Sequence, residues 1–191
     1  MKNEIIDAFK NLGYSTAQIA GILGNIDVET GGSFDYKQKQ RGAKRPAHGI
    51  FQLDPNGGKY QDYQKWLKKN NKKDSVLSQV EFFDDTIFGA STSIPGAGNA
   101  QKIKKAFGSD DPSVIAKTVS DVWLRPQKGK EHNDRRVAAA NTFYKEMKPS
   151  VEVAQQQPKQ PMVLAASDAA FDAGKKDLMN PLLVNEMMIA P

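Results

Sequence analysis

The chain has 191 residues, 39% of them hydrophobic, and no cysteine. Disulfides, thiol chemistry and thiolate metal sites are therefore excluded, and packing must stabilise a soluble globular domain with something appended to it. The net charge of +5 is uneven: residues 1–148 carry 24 Lys or Arg against 17 Asp or Glu, and residues 149–191 carry 3 against 5. Such a field suits any anionic polymer and selects none; a solvated Lys-rich face is the simplest account of it.

The first residues, MKNEIIDAFKNLG, set Glu4 and Asp7 inside their apolar pattern, unlike a secretory leader. No stretch has the apolar length of a membrane span. Segments 3–12 and 15–30 read as helices. The second opens on Ser15-Thr16-Ala17-Gln18, a capping box in which hydroxyl and amide satisfy orphan backbone donors. Ile19, Ile22, Leu23 and Ile26 follow at helical spacing and predict a core-facing stripe. From Gly31 to Gly58 the pattern breaks up. Six glycines, two prolines and a basic loop, KQKQRGAKR at 37–45, leave room only for short strands or a hairpin, near 34–36 and 49–53.

Helical signals then resume, near 60–71, 75–89 from a Ser75 cap, 99–107 ahead of Gly108, 112–124 and 133–147, with a loop at 90–98. Asp111 as cap and Pro112 at the first position are a strong start signal, and Arg125-Pro126 ends that helix. At Pro149 the character changes. Residues 149–161, including EVAQQQPKQP, read as a Gln- and Pro-rich linker, and residues 162–191 hold four of the six methionines. The expectation for 162–191 is a tail that docks on a partner, set against a tail that is disordered or folds back on its own domain.

One acid breaks a local rule. Glu29 stands in the last turn before the Gly31-Gly32 stop, where free carbonyls disfavour a carboxylate by roughly 0.3–1 kcal/mol. With Ile22 and Ile26 it forms an i, i+4, i+7 series, so it shares the apolar face. Burial and the carbonyl end of a helix both oppose ionisation, which is how a carboxylic acid keeps a proton to donate near neutral pH. The bland alternative is a buried Glu paired with an Arg or Lys.

Together with HGIFQLDP at 48–55, the stretch GILGNIDVETGG at 21–32 resembles the lysozyme superfamily, especially phage tail lysozymes and the related lytic transglycosylases. There a helix ending in Glu-Ser-Gly precedes a short sheet with a Gly-Leu/Ile-x-Gln segment. VSDVWLRP followed by NDRRVAAANTFYKEM looks like the closing helices of the phage tail lysozymes, and the likeness spans residues 10–148. It implies a mostly α, α+β lysozyme-like fold: a helical domain over 1–148 with a small β element at 32–54 walling a glycan cleft, plus the extended C-terminal tail.

By that resemblance Glu29 is the catalytic acid acting on the MurNAc-GlcNAc bond of peptidoglycan, and Gln52 binds substrate or water beside it. Tyr144 sits where transglycosylases carry a cleft tyrosine. The second carboxylate stays open between Asp35 and Asp54, each of which also suits a turn. Tyr60 is either core or a sugar-stacking residue at the cleft edge, and Trp123 is core. The basic loop at 37–45 is placed to hold an anionic wall polymer near the entrance.

His48 and His132 are too few and scattered for a metal site and are expected in surface or capping roles. No phosphate-loop spacing occurs, and no metal or organic cofactor is implied. The partners expected are a glycan strand and, through the tail, phage tail or other virion proteins, with no specific nucleic acid and no membrane span. The expected setting is a virion component that acts on the host periplasm or wall, with a free endolysin as the close variant. The rival from another class is a non-enzymatic virion protein or basic DNA-packaging protein that keeps the fold.

Overall fold

The capping residues set the helix starts. In the computed structural model, which describes residues 1–148 apart from 41, 43, 90–95 and 130, Ser15 Oγ accepts from Gln18 N while Gln18 Oε1 accepts from Ser15 N, completing the capping box of α2 (Thr16–Thr30). Ser75 caps α4 (Val76–Phe88) through Ser78 N, and Asp111 caps α6 (Pro112–Thr118) through Ser113 N. The other helices are α1 (Lys2–Asn11), α3 (Lys59–Lys69), α5 (Ala97–Phe107) and α7 (Asn133–Met147). The described residues are thus mostly helical, as the sequence predicts.

Helix α2 is the centre of the body. Ile19, Ile22, Leu23 and Ile26 are buried as expected, but so are Ala20, Gly21, Gly24 and Asn25, so the helix is enclosed on all sides. Small residues form its second face. A Cβ at Gly24 would collide with Arg136 O and with Ala140 of α7, so glycine is what lets α2 and α7 pack at backbone contact.

Two features depart from the sequence reading. The predicted helix 112–124 is α-helical only to Thr118 and then widens into a π-helical turn, Val119–Leu124, which Arg125 closes in the left-handed region (φ 54°) with Arg125 N donating to Ser120 O at 2.8 Å. Trp123 is fully buried there, its ring 5.0 Å from those of Phe51 and Phe83, and its indole N–H donates to Thr86 Oγ1 at 2.9 Å.

The small β element predicted at 32–54 is the second departure. The described residues there contain no strand, only isolated antiparallel bridges, Lys39 with His48 and His48 with Leu53. Short polar side chains take the backbone donors a ladder would need: Asp35 N donates to Ser33 Oγ and Lys37 N to Asp35 Oδ1. Residues 149–191, and with them the linker and the Met-rich tail, lie outside the described residues, as does most of the predicted loop at 90–98. No described helix is long and apolar enough to cross a membrane.

Candidate active site

Glu29 projects from the last turn of α2, which ends at Gly31 in the left-handed region (φ 58°). Its side chain is 19% exposed, and Oε1 accepts from Arg136 Nη2 at 2.7 Å. Arg136 lies on the first turns of α7 and is itself only 2% exposed. Its Nε donates to Glu131 O (2.7 Å) and its Nη1 to the backbone and side-chain oxygens of Asn25 (3.4 and 3.2 Å). Asn25 in turn donates to Gly21 O and Ala116 O. This network gives each nitrogen of a buried guanidinium a partner from α2 or the turn before α7. The pairing expected as the alternative to a proton-retaining acid, a largely buried Glu matched with an arginine, is therefore present at Glu29.

Glu29 faces a cleft with two lobes, of about 710 and 720 Å³, which share Glu29, Gln40 and Gln52. Gln52 is held there by its neighbours. Ile50, Phe51 and Leu53 are buried, so the tight turn HGIFQL has three anchors in the core and lifts Gln52 into the cleft with φ 45°. A non-glycine residue in that region is strained and needs such over-determined surroundings. The Gln52 amide group donates to Gly49 O (2.8 Å) and more weakly to Gln38 O (3.4 Å), leaving its carbonyl oxygen without a partner among the described residues. Gly49 has φ 81° and no room for a Cβ against the Gln79 amide, and Gln79 Oε1 accepts from Ile50 N at 2.9 Å.

The same turn is braced from behind. Asp74 accepts from Tyr63 Oη (2.7 Å) and Gln79 Nε2 (2.8 Å) and bonds His48 Nε2 (2.7 Å). Burial pushes the Asp74 carboxyl up, but the hydrogen bonds from His48, Gln79 and Tyr63 outweigh it and hold it below the usual carboxylate range. His48 is thus an interior brace, 8% exposed, rather than the surface or capping histidine expected, while His132 is exposed at the start of α7.

Both candidate aspartates line the cleft, one per lobe: Asp54 in the first, Asp35 in the second. Both also serve as turn residues, with Asp54 Oδ1 accepting from Asn56 N and Asp35 Oδ1 from Lys37 N. Tyr60 and Tyr144 are not brought to the cleft. Tyr60 packs on His48, ring centroids 5.3 Å apart, in a separate depression, and Tyr144 lies half-buried against the core with Lys148 over its ring.

Lys59 is the cleft residue that the sequence reading missed. It is the first residue of α3, where a cation is disfavoured, and its Nζ donates to Trp123 O (2.7 Å) and Leu124 O (2.6 Å) at the end of the π-helical turn. Burial pulls the ammonium down to about 8, helped by Arg125 and opposed by the carboxylates of Glu29 and Asp54. Its signal was present: a lysine directly after Gly57-Gly58 at a helix start breaks the dipole rule as Glu29 does at a helix end. Arg136 was equally legible, since it shares an i, i+4, i+7 face with Ala140 and Phe143.

Among the described residues no group of three or more His, Cys, Asp or Glu is placed to hold a metal ion. The family model described as phage tail lysozyme matches residues 1–147. No curated protein matches the chain.

Proposed function

We infer the reaction from the premise that the chain belongs to the phage tail lysozyme family, and propose a virion-associated muramidase that cleaves the MurNAc-GlcNAc bond of peptidoglycan as the particle opens the host wall. One observation carries this reading: a single, mostly buried carboxyl group, Glu29, sits where both lobes of the cleft meet. A glycan strand laid along the lobes passes its linkages over that group.

Arg136 holds Oε1, and Oε2 has no hydrogen-bond partner among the described residues, so Oε2 is the oxygen suited to carry and hand over a proton. In the proposed step Glu29 protonates the glycosidic oxygen, the C1–O bond breaks with its electrons going to the leaving sugar, and positive charge develops at C1. Asp54 or Asp35, in whichever lobe holds that ring, stabilises the charge. The free carbonyl of Gln52 orients the N-acetyl N–H or the attacking hydroxyl. Attack by water gives hydrolysis and attack by the sugar's own 6-hydroxyl gives a 1,6-anhydro product; in both, Glu29 regains the proton from the attacking oxygen.

Glu29→Gln keeps the shape and loses the proton. Muropeptide release from purified peptidoglycan is expected to fall at least about 100-fold, the scale for removing a general acid, and mass analysis of the wild-type digest separates hydrolysis from anhydro-sugar formation. Equal turnover by both proteins removes Glu29 from the mechanism. One observation favours a non-enzymatic structural role instead, the Glu29–Arg136 ion pair, which ties α2 to α7 whatever the chemistry. In that case neither protein turns over the wall and the substitution registers only as lost stability.

A further inference from the structure

Behind the cleft lies a second depression, of about 400 Å³, between the returning limb of the basic loop and the first turns of α3. Its base is fixed: Lys39 bridges His48, Gln40 N donates to Ala47 O at 3.0 Å, and Gly49 N to Gln38 O at 2.9 Å. Tyr60 packs on His48, whose Nε2 is anchored by Asp74, so one wall is a held aromatic surface, and Gln64 follows Tyr60 one helical turn along. Lys39, Lys44 and Arg45 also line it, and among the described residues no carboxylate takes part in the lining.

These three cations are exposed, and none forms an ion pair among the described residues, so their charge is not neutralised within the depression. Three unmatched cations around one concavity raise the local potential for an anion well above that of scattered surface lysines. Lys39 also lines the Asp35 lobe of the cleft, so the depression and the cleft share a wall. A group held in the depression is therefore within reach of a strand in the cleft. The basic loop is split between the two, with Lys37 lining the cleft and Lys44 and Arg45 the depression.

Resting on the glycosidase reading for its substrate, we propose that the depression lined by Lys39, Lys44 and Arg45 is an anion subsite for a carboxylate or phosphate group of the wall polymer. The peptide stems of the glycan supply carboxylates, and phosphodiester wall polymers supply phosphates. The guanidinium of Arg45 offers a two-pronged donor for either, and Tyr60 packs against the carbon skeleton that carries it.

The test uses the full chain with Glu29→Gln, so that binding is read without turnover. Calorimetric titration is run with a stem-bearing tetrasaccharide, a stem-free tetrasaccharide of N-acetylglucosamine, which carries no carboxylate, and poly(glycerol phosphate). Lys44→Ala/Arg45→Ala is expected to weaken the stem-bearing sugar, the phosphate polymer or both by about 10-fold or more, the scale of one lost charge-assisted contact. Stem-free sugar is expected to bind unchanged. Which anionic ligand loses affinity names the source. Lys68→Ala/Lys69→Ala, which removes the same charge from exposed positions at the far end of α3, is expected to change nothing.

Equal losses in the two double variants, or no loss for either anionic ligand, overturn the subsite. The outcome is separable from that of the glycosidase reading. If wild-type protein releases muropeptides and Lys44→Ala/Arg45→Ala binds like its parent, only the subsite falls; if the wild type is inert yet anion binding depends on Lys44 and Arg45, only the glycosidase reading falls.

Discussion

Glu29, in the last turn of α2, and Lys59, at the start of α3, each stand at the end of a helix that disfavours their charge, and both line the same cleft. The first was legible because the acid sits before a glycine pair; the second follows from the same rule applied to a start rather than a stop. The partners that tolerate them were not legible in the same way. That Lys59 would meet the carbonyls of Trp123 and Leu124 depends on the π-helical turn, which no spacing in the sequence announces. Lys59 is expected to titrate near pH 8 when followed by NMR of its side-chain carbons. Glu29→Gln should lower that value further, and Asp54→Asn should lower it less, because each removes a carboxylate that favours the ammonium and Glu29 is the stronger of the two. An unchanged titration in Glu29→Gln would separate the two groups electrostatically. Since unfolded Lys59 titrates near 10.5 and the folded group near 8, the folded state binds fewer protons across that window. This group therefore makes stability rise with pH between those limits, and its burial as a cation weighs against the fold below about pH 8.

At the scale of elements, helices and caps were the readable part. Ser15 with Gln18, Ser75, and Asp111 with Pro112 act where their chemistry says they should, because a cap depends on three or four adjacent residues. The segment between α2 and α3 was harder. Its glycines and short polar side chains forecast a break in the helical pattern, yet whether the break holds strands depends on which donors those side chains capture, and Ser33 and Asp35 capture enough to leave isolated bridges. Long-range pairing was also out of reach: Glu29 and Arg136 are 107 positions apart. Arg136→Met is expected to destabilise the protein by about 3–5 kcal/mol in urea denaturation, the usual consequence of stranding one member of a buried pair. A loss under about 1 kcal/mol would mean that Glu29 relaxes into the cleft and the brace is dispensable.

For the molecule as a whole, charge and composition divide the chain near Pro149, and the family match ends at residue 147. If residues 149–191 serve attachment and not chemistry, a chain ending at Lys148 should release muropeptides within about twofold of the full protein, a difference worth roughly 0.4 kcal/mol in barrier height, while failing to assemble into particles. Loss of turnover on truncation would assign the tail a part in the reaction.

The guanidinium that fixes Glu29 comes from α7, the last described helix, and the hydrogen bonds it makes outside its own vicinity all go to α2. A ribosome building this chain therefore makes the acid early and its counterion late. Until α7 has cleared the exit tunnel and docked, the nascent protein lacks the brace of its own cleft, so the acid waits for its counterion through the synthesis and folding of more than 100 intervening residues.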